Sequence, residues 1–355
     1  MKRDDDFDLL VIGAGPAGCA AAIRAASRGL RVAVIEKASF PRDLPGEALH
    51  PGVEQIFAEL GVTRAISKAG FIRNPGWILE RAGERTFVPF EGPSGLGFGY
   101  QAWRSKLDSI LLAQARSMGA AVIQPAGTSE LLMRDGRVAG LQVQGESWFC
   151  RYLIDASGAS RWLSRKLRLE VQDFSPRLVA RYAYFRGKCE LGVIPEFREH
   201  PCGWTWLARV KTDCCQCVQL SLAANVQMPD PPAPFRNTRF RGADVTWRFI
   251  PECAGDRYFL CGDAAAVLDP AASSGVARAL ACGSKAADLI VQIVNDGTDP
   301  TAAAADYRQW YANQFADQAR QLAERYANLE AAPVWLREFS PISLANAESS
   351  VITSS

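Results

Sequence analysis

The sequence predicts an α/β chain in which a Rossmann-like nucleotide-binding domain carries an inserted β-rich domain and ends in C-terminal helices. Three observations predict it. Phe7 to Ile12 and Arg31 to Glu36 are short apolar runs on either side of an alanine-rich helical stretch, Pro16 to Gly29, which makes a β-α-β unit of about 30 residues. Leu178 to Trp247 is rich in aromatic and β-branched residues with few helix starts, broken by the proline-rich run Pro229 to Pro234. Gly275 to Val294 and Ala302 to Ala331 return to helical spacing.

With 355 residues, 48% apolar and 22% charged, the chain is long enough for two interleaved domains and has an ordinary globular composition. Its 40 basic and 38 acidic side chains leave a net charge of +2, which argues against nucleic acid as a partner. Met1 to Asp6 runs straight into the Phe7 strand without an apolar signal core, and no apolar run reaches the roughly 18 residues that span a bilayer. A cytoplasmic protein without a membrane span is the expectation. The ten cysteines are scattered, so reduced thiols are expected rather than a disulfide scaffold. Cys214, Cys215 and Cys217 lack paired C-x2-C spacing and only His50 and His200 could assist them, so no metal site is expected.

The remaining elements follow the same cues. A Pro/Gly loop covers Phe40 to Gly52, a helix lies around Val53 to Leu60, and strand-like segments fill Gly70 to Gly99. Trp103 to Gly119 is helical, and Ala121 to Cys150 reads as a meander turning at Asp135-Gly136 and at Gly145. Tyr152 to Ile154 and Tyr258 to Leu260 read as short buried strands. This assigns 1–70, 96–170 and 250–300 to the nucleotide-binding domain and 71–95 with 171–249 to the β-rich domain. Residues 301–340 form a helical segment and 341–355 a tail without periodicity.

Gly13-Ala14-Gly15-Pro16-Ala17-Gly18 is a G-x-G-x-x-G string set between a strand and a helix. In that setting the first glycine makes the tight turn, the second lets backbone approach a pyrophosphate and the third lets helix and strand pack. The helix start then offers N–H groups and a positive dipole end to phosphates. Glu36, at the end of the second strand, is placed to accept ribose hydroxyls and would repel a 2′-phosphate, which favours FAD or NAD over NADP.

After the Tyr258 strand comes Cys261-Gly262-Asp263-Ala264-Ala265, then Asp269-Pro270 and Ser273-Ser274-Gly275-Val276 opening a helix. This resembles the Gly-Asp motif of flavoproteins with the para-hydroxybenzoate hydroxylase and glutathione reductase type of fold. The resemblance implies FAD, with Gly262, Asp263, Pro270, Ser274, Gly275 and Val276 against the flavin half. Phe40-Pro41-Arg42 followed by Gly46-Glu47-Ala48-Leu49 is similar to a loop of geranylgeranyl reductases and flavin halogenases. Arg104 opens a helix where those families carry a flavin-contacting arginine, and Asp155-Ala156-Ser157-Gly158 resembles their Asp-x-Ser-Gly. Lys37, Arg42, Arg104, Ser157 and Gly158 therefore join the expected FAD contacts.

Trp204-Thr205-Trp206 resembles the start of the halogenase W-x-W-x-I-P motif, but Ala208-Arg209 replace its Ile-Pro. The lysine that halogenases need after the Gly-Glu loop is missing, since Ala69-Gly70-Phe71 continues into Ile72-Arg73 and Lys68 precedes the pattern. Ala272 stands where free-tryptophan halogenases carry an acid. The combination looks most like the small tryptophan-halogenase-like flavoproteins that help build tryptophylquinone cofactors. That resemblance implies a monooxygenase that hydroxylates a tryptophan within the precursor of a quinone-cofactor oxidase, with O2 as co-substrate. NAD(P)H or a separate flavin reductase would supply electrons.

On this reading Trp204 and Trp206 are a candidate aromatic wall, and His50 or Glu47 candidate proton-handling groups. Arg73 and Arg209 are candidates to meet a peptide carbonyl or carboxylate. Sheet packing for the tryptophans, a capping role for His50 and solvated surface positions for the arginines are the competing explanations. The alternative activities are halogenation, a geranylgeranyl-reductase-like reaction on a small or lipid substrate, and a flavin-stabilised maturation chaperone without catalysis.

Overall fold

A computed structural model of the chain describes residues 6–337 except 93–94, 189 and 224–227, together with residue 339. The expected tail 341–355 lies outside the described residues. β1 (Phe7–Ile12) is buried from Leu9 onward, as a strand flanked by parallel neighbours and covered on both faces must be. α1 (Pro16–Ser27) follows it and returns the chain to β2 (Val32–Ile35), which pairs with β1 in parallel. The helix stops at Ser27, just before Gly29 adopts φ +85° and turns the chain.

β3 (Ala48–Leu49), α2 (Val53–Glu59), α3 (Thr63–Ser67) and β4 (Ile72–Asn74) lead into the hairpin β5 (Gly76–Arg81) and β6 (Glu84–Pro89). After the short pair β7 (Glu91–Gly92) and β8 (Gly95–Leu96), β9 (Gly99–Gln101) lies between β3 and β4 in a small sheet of its own. Then come α4 (Arg104–Ser117), β10 (Ala121–Ile123), β11 (Thr128–Arg134), β12 (Arg137–Val143) and β13 (Glu146–Asp155).

The expected meander divides differently here. β10 leaves it and pairs in parallel with β2, whereas β11, β12 and β13 are antiparallel. The short strand expected at Tyr152 to Ile154 is the inner half of β13, which runs ten residues without a break. Its first residues are exposed and its last four buried, because the strand leaves the surface hairpin and enters the parallel core beside β1.

α5 (Trp162–Leu167) and β14 (Gln172–Asp173) precede the strands β15 (Val179–Arg186), β16 (Glu196–His200), β17 (Gly203–Lys211), β18 (Cys214–Ser221) and β19 (Arg241–Asp244). These form a seven-stranded sheet in the order β19-β15-β18-β17-β16-β5-β6. β20 (Arg248–Phe249), β21 (Ala254–Gly255), β22 (Tyr258–Leu260) and β23 (Ala266–Val267) return the chain to the first domain, where β22 joins β13 in parallel. α6 (Gly275–Val291) and α7 (Pro300–Ala327) complete it. α7 begins two residues earlier than its apolar pattern, because the Asp299 carboxylate accepts the Ala302 N–H at 2.9 Å and Pro300 fits the first helical position.

α1 and α6 approach closely enough that a Cβ on Gly283 would lie 2.1 Å from the Ala17 carbonyl oxygen. A Cβ on Gly18 would lie 1.9 Å from the Gly13 carbonyl oxygen, so glycine is also required on the side of α1 that meets β1. Buried thiols include Cys19, Cys214, Cys217, Cys261 and Cys282, while Cys215 is disulfide-bonded where the sequence suggests a thiol. Among the described residues no helix is long and apolar enough to cross a membrane.

Replacing Gly283 with valine should cost about 1–3 kcal/mol of stability through overpacking of the α1–α6 contact. Thermal unfolding checks this, and an unchanged melting temperature would show that the contact relaxes freely.

Candidate active site

The nucleotide cradle is built by three turns packed together. Gly13, at φ +94°, would place a Cβ 2.5 Å from the Ala156 carbonyl oxygen, so the glycine turn sits directly on the Asp155–Gly158 turn. Asp155 accepts the Ser157 and Leu163 N–H groups, both at 2.8 Å, and thereby fixes that turn and the start of α5. Cys261 N–H bonds the Asp155 carbonyl oxygen, and a Cβ on Gly262 would meet the Ala17 Cβ at 3.3 Å. The Gly262-Asp263 turn is thus pressed against the first turn of α1.

In front of these turns there is space. A Cβ on Gly15 would meet only the Arg42 guanidinium, at 3.6 Å, and one on Gly275 would meet no atom within 4 Å. Pro16, Ala17 and Gly18 form the buried first turn of α1, whose leading amides have no partner inside the helix. Asp263 is exposed at its turn, Val276 is buried behind Gly275, and Lys37 and Pro270 are exposed. Ser157 uses its hydroxyl to accept the Trp162 N–H at 3.0 Å, and Gly158 has φ +65°. Ser274 bonds Gln318 of α7.

Behind the cradle runs a chain of buried charges. Glu36 accepts the Ala14 and Ala38 N–H groups at 2.8 and 2.9 Å. The Arg42 guanidinium stands 3.8 Å from Glu36 and 3.7 Å from Asp108. Asp108 in turn grips Arg104 through two bonds of 2.9 and 3.0 Å, and Arg104 donates to the Pro45 carbonyl oxygen at 2.8 Å. Burial alone would lower the Arg104 pKa, but the Asp108 carboxylate outweighs it and holds the group above its ordinary value. Asp108 was not singled out from the sequence, although its position four residues after Arg104 puts both on one helix face.

Glu47 links the loop of the first domain to the large sheet. Only 1% of it is exposed. Its carboxylate accepts the Tyr184 hydroxyl at 2.5 Å, the Gln216 amide at 2.6 Å and the Gly46 N–H at 2.9 Å. Burial raises its pKa, against the lowering effect of the Tyr184 bond, while burial and the Glu47 charge push Tyr184 well upward. The phenol therefore keeps its proton. Tyr184 and Gln216 face each other across β15 and β18, and no sequence spacing links them to Glu47.

Strand alternation gives the large sheet two distinct faces. Tyr184, Gln216, Trp204, Trp206 and Ala208 lie on the face toward the first domain, where Trp206 and Ala208 pack with Trp103 and Phe71. Leu207, Ala183 and Cys217 lie on the opposite face with Phe235. Arg209, two residues beyond Leu207, shares that opposite face. A surface cleft lined by Arg181, Gln219, Arg236 and Phe240 also lies there, away from Glu47.

The other candidates are distributed as follows. Trp204 donates from Nε1 to the Tyr326 hydroxyl at 3.0 Å, and Tyr326 donates to Asp269 at 2.6 Å. Asp269 also accepts Trp247 Nε1 at 2.7 Å. Trp204 is therefore committed to α7, and Trp206 is the tryptophan nearer Tyr184. His50 lies at the surface, accepts the Gly52 N–H at 3.3 Å and meets Phe90 edge-on, and desolvation lowers its pKa. Arg73 is half-exposed and paired with Glu54 at 2.6 Å. No described lysine is buried: Lys68 is exposed, Lys106 donates to the Ala69 carbonyl oxygen and Lys211 lies over the Trp103 ring. Among the described residues no cluster of three or more His, Cys, Asp or Glu could hold a metal.

Two measurements address this arrangement. Replacing Gly15 with valine, or Asp263 with alanine, should remove or sharply reduce the yellow flavin absorbance of the purified protein, with wild-type protein yellow. A raised carboxyl pKa contributes stability that is fully present below the ordinary value of 4.5 and lost as pH rises through the folded value. Glu47→Gln, which cannot titrate, should therefore gain in melting temperature relative to wild type as pH rises from about 4.5 toward neutrality. A pH-independent difference would refute the shift.

The open space before Gly15 and Gly275, the Glu36 carboxylate at the end of β2 and the exposed Asp263 fit FAD, whose pyrophosphate the cradle would hold and whose flavin half the Gly262–Val276 segment would hold. A family model described as FAD binding domain matches residues 8–42, and one described as tryptophan halogenase matches residues 72–216. The chain is 29% identical to the 1H-pyrrole-2-carbonyl-(peptidyl-carrier protein) brominase of Pseudoalteromonas luteoviolacea over 87% of this chain and 83% of that protein. It is 27% identical to the tryptophan 2-halogenase of Chondromyces crocatus, over 92% of this chain and 69% of the other. Its fold matches that of the myxobacterial chondrochloren halogenase with a TM-score of 0.79 at 24% identity, over 90% and 82% of the two chains. With a cradle shaped for the cofactor, these matches make the chain an FAD-dependent oxidoreductase that is similar, over residues 72–216, to the tryptophan halogenase family.

Proposed function

We propose that this flavoenzyme is a monooxygenase that places oxygen on an electron-rich aromatic ring carried by a protein, namely a tryptophan in the precursor of a quinone-cofactor oxidase. The observation that carries the oxygenase reading is the buried Glu47-Tyr184-Gln216 cluster on the sheet face that packs with Trp103 and Phe71. When bound, reduced FAD together with O2 would supply the electrophilic oxygen. The electrons come from NAD(P)H or a separate flavin reductase.

The protein's own part is positioning and proton management. Trp206, Phe71 and Trp103 offer an apolar aromatic wall that orients a flat ring and excludes water. Glu47 can take up a proton more readily than an ordinary carboxylate, and the Tyr184 hydroxyl and Gln216 amide keep its oxygens aligned while it does so. A protein-borne substrate accords with the brominase relative, whose name specifies a pyrrole carried on a peptidyl-carrier protein.

Halogenation is the second reading, and the comparisons favour it. The tryptophan halogenase model covers 72–216, and the relatives named above are halogenases. Lys106 and Lys211 flank Ala69 and Trp103 near the aromatic wall, which is where a halogen-relaying lysine would have to act.

Intact-mass analysis of candidate oxidase subunits, coexpressed with this protein or with its Gly15→Val variant, separates the readings. We expect a gain of oxygen on one tryptophan that disappears with the variant. Chlorine or bromine on the ring would establish halogenation, and an unmodified subunit would refute the proposed partner.

A further inference from the structure

Three buried polar atoms beside the aromatic wall have no hydrogen-bond partner among the described residues: Oδ1 of Asn74, Oε1 of Gln101 and Nε1 of Trp206. Asn74 is 1% and Gln101 2% exposed, so bulk water does not reach them. Buried polar groups in folded proteins are nearly always paired, and an orphan costs free energy comparable with a lost hydrogen bond.

Strand register brings the two amides together. In the small sheet Ile72 opposes Gln101 and Asn74 opposes Gly99, so Asn74 and Gln101 leave the same face as diagonal neighbours. The other face carries Arg73 and Tyr100. There the Tyr100 hydroxyl bonds Glu54 and its ring meets Phe57, both on α2, so α2 covers that side. Asn74 and Gln101 therefore face away from α2 toward β17, which packs across β4 and β9. Trp206 lies on the face of β17 turned toward this domain. The Asn74 amide orientation is fixed, because its Nδ2 donates to the Gly76 carbonyl oxygen at 3.1 Å and leaves the oxygen as the free end.

We infer that Asn74 and Gln101 form a specificity site that accepts the ring N–H of a pyrrole-type heterocycle, such as the indole of tryptophan, held against Trp206. The inference rests on the proposed reading that an electron-rich ring is the substrate, and it names the group by which that ring is recognised. The two free amide oxygens are uncharged acceptors, so they suit a neutral donor, and a ring lacking the N–H would leave both unpaired. Neither residue is placed to react. Their role is to choose and orient the ring.

The test uses the full-length FAD-loaded enzyme in its oxidised state, titrated with indole and with benzofuran, which has the same shape but oxygen in place of N–H. Perturbation of the flavin absorbance reports binding without turnover. We expect indole to bind about ten-fold more tightly than benzofuran. Asn74→Leu and Gln101→Leu should bring the ratio toward one while benzofuran affinity and flavin content stay near wild type. Equal affinity of wild-type enzyme for both rings, as a site satisfied only by water would give, overturns the inference, as does failure of both rings to bind. The wild-type ratio decides the matter even if either variant fails to fold. An oxidase subunit that gains oxygen while the ratio is one leaves the proposed function standing without this site. A clear ratio with an unmodified subunit does the reverse.

Discussion

The contact between α1 and α6 sets the distance on which the rest of the molecule depends. The missing side chain of Gly283 lets one helix rest on the Ala17 carbonyl of the other; Gly15 caps the start of α1 and Gly275 opens α6, and of the two only a Cβ on Gly15 would meet a neighbour, the Arg42 guanidinium. Their positive dipole ends lie one at the Gly13–Gly18 turn and one after the Gly262-Asp263 turn, where both would face an FAD held in the cradle. The buried sequence of Glu36, Arg42, Asp108 and Arg104 then fixes the loop that carries Glu47, since Arg104 also holds the Pro45 carbonyl. A buried charge pair of this kind contributes little net stability, because its desolvation offsets much of its attraction.

From that loop the structure reaches the large sheet by one carboxylate. Glu47 would be costly to bury alone, and three donors from the loop, β15 and β18 make the burial tolerable. The same arrangement gives it a mixed character, since desolvation draws a proton toward it and the donors push the proton away. Such a poise is what the proposed proton-handling role of Glu47 would need, since the protonation of a surface acid simply follows bulk pH.

Much of the first domain was legible because its constraints are local. The glycines of the Gly13–Gly18 turn, the short apolar strands and the Gly262-Asp263 turn each announce themselves within a few residues. β10 and β13 were harder, since a strand that passes from a surface hairpin into a parallel core changes its burial pattern without any turn residue to mark the change. The site toward the sheet was less readable still. Tyr184 and Gln216 reach Glu47 only through cross-strand pairing, and Trp204 and Trp206 look alike in sequence although Trp204 is committed to Tyr326. Arg209 seemed a candidate beside them until alternation along β17 put it on the far face.

The hydroxyl of Tyr326 takes one bond from the sheet, through Trp204, and gives one to Asp269 in the segment that precedes α6. Three separately encoded parts of the chain, the sheet, the flavin-side turn and the last long helix, thus share a single oxygen atom. Fraying of α7 would loosen all of them at once, so this region should behave as one cooperative opening unit rather than as a helix that peels away alone.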